Sequence, residues 1–257
     1  VLFRSVAAHP RAKAVVFTYP TYDGIAGNLK ALTAYAHEKG LYVLVDEAHG
    51  AHLGFHRDLP AEALACGADC VAQSTHKMAG SLTQTSMLHC RQGFPLTDRV
   101  AAAMAVVQST SPHYWFLASL DSARQQLALE GPELIGRALG LARFVRDAIN
   151  AIPGLTVFGR DIIDGQVVSG FDETKITIDF SGVGLDGVTA ERLLRQQGIE
   201  VELVAGTIER RLREHFTVAG YIFFLNCEQA QRYNILLYSS IAPEDVAPMG
   251  IKAFSDV

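Results

Sequence analysis

The sequence predicts an α/β protein: a mainly parallel sheet, followed by a smaller α/β domain. Three observations predict it. Two apolar runs, AVVFTY at 14–19 and LYVLVD at 41–46, flank a segment of helical spacing. The connections between them are short. Beyond about position 150, brief strand-like runs alternate with short helical ones.

Each element has its own justification. AVVFTY, ended by Pro20, reads as a buried strand. PTYDGIAGN reads as a polar turn. LKALTAYAHEKG sets Leu29, Leu32, Tyr35 and Ala36 at helical spacing and stops at Gly40, a C-cap position. LYVLVD is the second strand, so the unit is βαβ, with parallel strands and a right-handed crossover. CVAQS (70–74) and TSMLHC (85–90) are further strands, and LTDRVAAAMAVVQ is a helix. SPHYWFLASLDSARQQLALE predicts a long helix entered through Pro112. GPELIGRALGLARFVRDAINAI predicts a separate one stopped by Pro153-Gly154. LTVFG, TKITIDF, IEVELV, YIFFLN and NILLYSS then read as strands of a second layer, with AERLLRQQ and EQAQRY as helices. The expected division is a partial major domain over 1–145 and a smaller, partial C-terminal α/β domain over 146–257. The chain opens VLFRS rather than with Met and enters a core strand almost at once, so an N-terminal part is expected to be missing.

Composition excludes several classes. The chain has 257 residues, 49% hydrophobic and 19% charged, enough for a substantial core. Its net charge is −5 with no Lys/Arg run, which gives no footprint for nucleic acid or an anionic membrane. Its longest apolar runs are too short to span a bilayer. Cys66, Cys70, Cys90 and Cys227 fit a reducing, cytoplasmic setting as core residues. CGADC at 66–70 has no second Cys or His pair at matching spacing, so no metal site is expected.

The segment VDEAHGAHLGFH at 45–56 contains the letters of a helicase box. A helicase needs G-x-x-x-x-G-K-[ST], and the chain has none. Asp46 instead ends an apolar strand, where open α/β sheets bind ligands. His49, His52 and His56 follow, but Gly50 and Gly54 argue against a helix that would face them together, so at most one is expected in a site. Lys77 lies in STHKMAG, the sole Lys, Arg, Asp or Glu between Asp69 and Arg91. A lysine in so uncharged a stretch suits Schiff-base chemistry, because desolvation frees the amine. Ser74, Thr75 and His76 are donors suited to a phosphate. A lysine for an aldehyde, a carboxylate for a pyridinium nitrogen and phosphate donors are what pyridoxal phosphate requires.

The segments FTYPTYDG (17–24), VDEAHGAHLGFH (45–56), QSTHKMAGSLTQTSMLH (73–89) and QSTSPHYWFLASLDSAR (108–124) resemble the Orn/Lys/Arg decarboxylases, pyridoxal-phosphate enzymes of the type I aminotransferase fold. YNILLYSSIAPEDV at 233–246 is a looser match. DEAH with a later lysine also occurs in oxoamine synthases; the S-T-H-K…L-T-Q-x-S and S-T-S-P-x-Y segments favour the decarboxylases.

The resemblance implies that Lys77 holds the cofactor aldehyde and Asp46 the pyridinium nitrogen. Ala48 would lie against one ring face, and His49 near the ring oxygen or the substrate carboxylate. Ser74 and His76 would contact the phosphate. Ser109, Thr110 and Ser111 would reach the partner's cofactor phosphate in a homodimer with interfacial sites. Thr21 and Tyr22 would line the substrate site. Lys77 or a histidine would reprotonate the α-carbon. The implied reaction is decarboxylation of arginine, lysine or ornithine to an amine of polyamine biosynthesis and CO₂.

The sequence departs from the family at His113, where a small polar residue is usual, and lacks the upstream phosphate loop and ring-stacking residue. Other type I reactions (transamination, acyl transfer, elimination) and a non-catalytic cofactor-binding relative are the competing readings. Arg210, Arg211 and Arg213 lie in a charged helical segment rather than where an aminotransferase would place a carboxylate-binding arginine. Asp23, Glu173 and Glu202 are equal candidates for a substrate's distal cation.

Overall fold

Apolar strand runs and segments of helical spacing set the order of elements. The computed structural model describes residues 2–204 and 223–225. Helix α1 (Leu2–Ala8) leads into strand β1 (Ala14–Thr18). A short strand β2 (Ile25–Gly27), helix α2 (Leu29–Glu38) and strand β3 (Tyr42–Asp46) follow. Next come β4 (Cys70–Gln73), the one-turn helix α3 (Thr75–Met78) and β5 (Met87–Cys90). Helices α4 (Thr97–Val107) and α5 (Tyr114–Asn150) precede the short strands β6 (Thr156–Val157), β7 (Val168–Phe171) and β8 (Ile178–Asp179). Helix α6 (Gly187–Gln196) and strand β9 (Phe223–Leu225) complete the described elements.

The main sheet has the order β5-β4-β3-β1-β9. β1, β3 and β4 run parallel, and the two outer strands run antiparallel. Val15, Phe17, Val43, Val45 and Val71 are all buried, as parallel strands covered on both faces demand. Helix α2 buries Leu29, Thr33 and Ala36. Asn28 caps its start, accepting from Ala31 N at 3.2 Å, and Gly40 ends it at φ +72°. Buried Asp69 ties this layer together. It accepts from Val43 N at 2.8 Å and from Arg91 Nη2 at 2.7 Å, and lies 2.8 Å from His37 Nε2.

Several sequence expectations need correction. The two helices expected over 111–152 are one, α5, which runs through Pro132. Proline costs a backbone hydrogen bond and about 3 kcal/mol in a helix interior. Burial of Ala123, Ile135, Leu139 and Ala142 along one face outweighs that cost. Gly131, within the helix, is a close-packing residue, since a Cβ there would sit 3.0 Å from Cβ of Phe55. PTYDGIAGN is not only a turn, because β2 pairs antiparallel with β7, a partner remote in sequence. IEVELV forms no strand within its described part, 199–204. YIFFLN supplies β9, which joins the main sheet beside β1 rather than the second layer. NILLYSS and EQAQRY lie outside the described residues. Position 145, the expected domain boundary, falls within α5.

Candidate active site

β3 and β4 are paired in register, with Asp46 opposite Ala72, so both strands end at one edge of the sheet. Ligands bind beyond this carboxyl edge in open α/β folds. Asp46 is exposed there, and Oδ1 accepts from Ala48 N at 3.0 Å, which turns the chain sharply after the strand. The next residue does the reverse. Glu47 points inward, 1% exposed, accepting from Ala63 N and Gln73 Nε2, each at 2.7 Å. Burial pushes its pKa up to about 7, against those hydrogen bonds. Gln73 Oε1 in turn lies 3.0 Å from His89 Nε2. This buried chain locks the ends of β3 and β4 together.

After β4, Ser74 sits at the start of α3, and the single turn brings Lys77 to the surface. Lys77 Nζ lies 3.3 Å from Nε2 of His49, and the His49 ring meets Tyr22 edge-on with centroids 4.6 Å apart. Burial, then the charge of Lys77, lowers the pKa of His49 and favours the neutral imidazole. Nδ1 of His76 lies 2.6 Å from the Thr85 carbonyl, which can only accept, so that nitrogen carries the proton and the ring is fixed. Tyr22, His49, His76, Lys77, Lys175 and Glu202 are among the residues lining a cavity of about 650 Å³.

The structure thus brings Lys77, His49, His76 and Tyr22 together, with Asp46 and Ser74 at the same sheet edge. Ala48 is half-buried in the turn after Asp46. Thr21 is held differently: its hydroxyl accepts from Ile25 N at 3.0 Å and shapes the turn before β2. Ser109, Thr110 and Ser111 are exposed between α4 and α5 and do not line the cavity. Of the three histidines after Asp46, only His49 enters the cavity. His52 is buried 3.0 Å from Asp172, and His56 Nδ1 accepts from Asp58 N. Among the candidate carboxylates, Asp23 and Glu202 line the cavity. Glu173 does not, since it pairs with Arg143 at 2.7 Å and Arg160 at 3.5 Å. Sequence reasoning missed Lys175 altogether. It is the second residue of the strand-like run TKITIDF, and nothing in that pattern marks a lysine as cavity-facing.

The family model described as Orn/Lys/Arg decarboxylase, major domain, matches residues 1–208. An arginine decarboxylase of Halalkalibacterium halodurans is 45% identical over 201 residues, 78% of this chain and 41% of the relative. An arginine decarboxylase of Bacillus subtilis is 43% identical over the same shares of each. The chain therefore spans less than half the length of these curated relatives. Among solved structures, lysine decarboxylase A from Pseudomonas aeruginosa superposes with a TM-score of 0.64 at 21% identity, over 91% of this chain and 35% of that one.

Proposed function

The chain belongs to the Orn/Lys/Arg decarboxylase family, and from that premise we propose that it carries the cofactor half-site of a pyridoxal-phosphate-dependent decarboxylase of basic amino acids. Arginine is the first substrate to try, because four relatives that are 41–45% identical over 201 residues are named arginine decarboxylase. The reaction releases the carboxyl group as CO₂ and puts one proton on the α-carbon, leaving the amine. The observation that carries the reading is the shared edge of β3 and β4. It places the exposed carboxylate of Asp46 beside the segment that presents the exposed amine of Lys77.

The residues present fit pyridoxal phosphate. Lys77 has an amine open to an aldehyde, with a neighbouring imidazole in place of a competing carboxylate. Asp46 makes no ion pair among the described residues, so its charge is available to a protonated ring nitrogen. The Ser74 hydroxyl caps no helix N–H and is open to a phosphate. When bound, the cofactor supplies an electron sink for the pair left by departing CO₂. Asp46 would hold the protonated ring nitrogen by charge. His49 and Lys77, in mutual contact, can hold and return a proton at the substrate's α-carbon. Tyr22 fixes the plane of the His49 ring. His76, whose Nδ1–H already donates to the Thr85 carbonyl, leaves Nε2 as its second polar atom in a residue that lines the cavity.

We propose a homodimer as the working form. Supporting it, Val106, Val107, Tyr114 and Trp115 are 72–84% exposed and flank the Ser109–Ser111 turn, leaving an apolar patch where a second copy's site would be reached.

Borohydride reduction in the presence of pyridoxal phosphate, followed by peptide mapping, tests the reading. An adduct on Lys77, with agmatine and CO₂ released from arginine, is the expected outcome. An adduct at another lysine, or none, removes the assignment.

A further inference from the structure

The cavity that presents Lys77 holds a second lysine. Lys175 is half-buried, and its Nζ donates over 2.9 Å to Sδ of Met78, a thioether and a weak acceptor. Among the described residues it makes no ion pair. Burial lowers its pKa, the charge of Lys77 adds to that, and Asp172 and Glu202 oppose it. An ammonium taken out of water without a close counter-ion is costly, and an anion brought to it relieves that cost.

The loop carrying Lys175 is fixed by buried ionic groups. Arg146, 8% exposed, donates through Nη2 to the carbonyls of Lys175 at 2.8 Å and Glu173 at 3.2 Å. Lys175 N donates to Asp172 O at 3.1 Å, and Asp172 is fully buried against His52. Gly24, at φ +91°, leaves room for the loop, since a Cβ there would lie 2.9 Å from Cγ of Lys175. A buried guanidinium and a buried His–Asp pair thus hold one short loop, and the charged end of that loop lines the cavity. Glu191, Glu200 and Glu202 line it too, so the cavity offers both signs of charge to a ligand that carries both.

We propose that Lys175 receives the α-carboxylate of the amino-acid substrate, and so distinguishes the amino acid from its decarboxylated amine. The inference rests on the reading of Lys77 as the residue that the substrate's α-amine approaches. The carboxylate shares a carbon with that amine, which brings it into the same cavity as Lys175. The contact belongs to substrate binding, so its loss falls on affinity more than on turnover.

Spectral titration of the cofactor-loaded protein tests this without relying on turnover. Arginine carries the carboxylate; argininamide and agmatine lack it. In Lys175→Met the apparent Kd for arginine is expected to rise about 10- to 100-fold, the loss of one charge-assisted contact. The values for argininamide and agmatine should stay within about threefold. Lys175→Arg should recover most of the arginine affinity, and Lys175→Gln repeats the comparison if the Met variant does not fold. Parallel weakening of all three ligands, or no change for arginine, overturns the inference. Borohydride trapping at Lys77 separates the two readings. An unlabelled Lys77 in the parent protein fails the site itself. Labelling in parent and variant with unchanged arginine affinity fails only the role of Lys175.

Discussion

Nζ of Lys77 lies 3.3 Å from Nε2 of His49, a contact that joins the segment after β4 to the turn after β3. It places a proton acceptor against the amine proposed to take the cofactor aldehyde. With its pKa lowered by burial and by Lys77, the imidazole is neutral at pH 7 and able to accept. His49→Ala should lower kcat by about 10²- to 10⁴-fold, the usual contribution of a positioned acid or base. Reductive labelling of Lys77 should survive. A variant with full turnover would show that His49 only packs against Tyr22.

As the proposed partner of the ring nitrogen, Asp46 would act through its charge, so Asp46→Asn keeps the shape and removes that effect. Turnover should fall by at least about 10²-fold, the order seen when a preorganised electrostatic partner is removed. Cofactor binding should weaken more modestly. The Asn side-chain oxygen can still accept from Ala48 N, so the turn should hold. Equal losses in stability and turnover would assign Asp46 to the turn rather than to the cofactor.

Asp46 and Lys77 were legible as candidates in the sequence because each stands out locally. One ends an apolar strand, and the other is alone in an uncharged stretch. The parallel β1–β3 pair was legible for a similar reason, as short-range periodicity writes a βαβ unit into neighbouring residues. What escaped is non-local. β2 exists because β7 pairs with it, and Ile25 and Phe171 carry no sign of each other. Helix α5 survives Pro132 through packing of distant residues, including Phe55 against Gly131. Lys175 reaches the cavity because Arg146, within α5, grips its carbonyl. Single-sequence patterns report the chain's own neighbourhood and are silent on such partners.

Nε2 of His52 lies 3.0 Å from Oδ2 of Asp172, with exposures of 4% and 0%. The partnership with His52, helped by Thr174, holds the Asp172 pKa below the usual carboxylate range against the effect of burial. His52→Ala leaves that carboxylate buried without its partner. Chemical denaturation should show a loss of about 3–5 kcal/mol, the cost of breaking a buried pair from one side. Adding Asp172→Asn should restore part of it. A loss below about 1 kcal/mol would mean that Thr174 alone satisfies Asp172.

Gly24 sits at φ +91°, a conformation that side chains disfavour. A Cβ there would lie 2.8 Å from the Asp172 carbonyl, which is backbone and cannot step aside cheaply. Gly24→Ala should therefore cost at least about 2 kcal/mol, from strain and from the displaced loop. Gly54 is the control. A Cβ there would meet Glu62 Oε2 at 2.5 Å, the far end of a flexible side chain that can move away. Gly54→Ala should cost under about 1 kcal/mol. Equal costs in thermal unfolding would remove the steric argument for Gly24.

Glu47 sets a pH dependence of stability whose sign follows from its raised pKa. In the fold the carboxyl titrates at about 7 rather than its ordinary 4.5, chiefly because it is buried. Between those values the folded chain holds a proton that the unfolded chain has lost, so this residue's contribution falls as pH rises. It is fully present below pH 4.5 and lost on passing through about pH 7. Each unit of displacement is worth about 1.4 kcal/mol, so ionising Glu47 in place costs on the order of 3 kcal/mol. Glu47→Gln is neutral throughout. Its side-chain oxygen can still accept from Ala63 N, and Gln73 can turn its amide to meet the new donor. Denaturation midpoints of the parent, measured from pH 5 to pH 8, should drop relative to those of the variant as pH rises. Parallel pH profiles would show that Glu47 stays ionised in the fold, with the hydrogen bonds from Ala63 and Gln73 outweighing its burial.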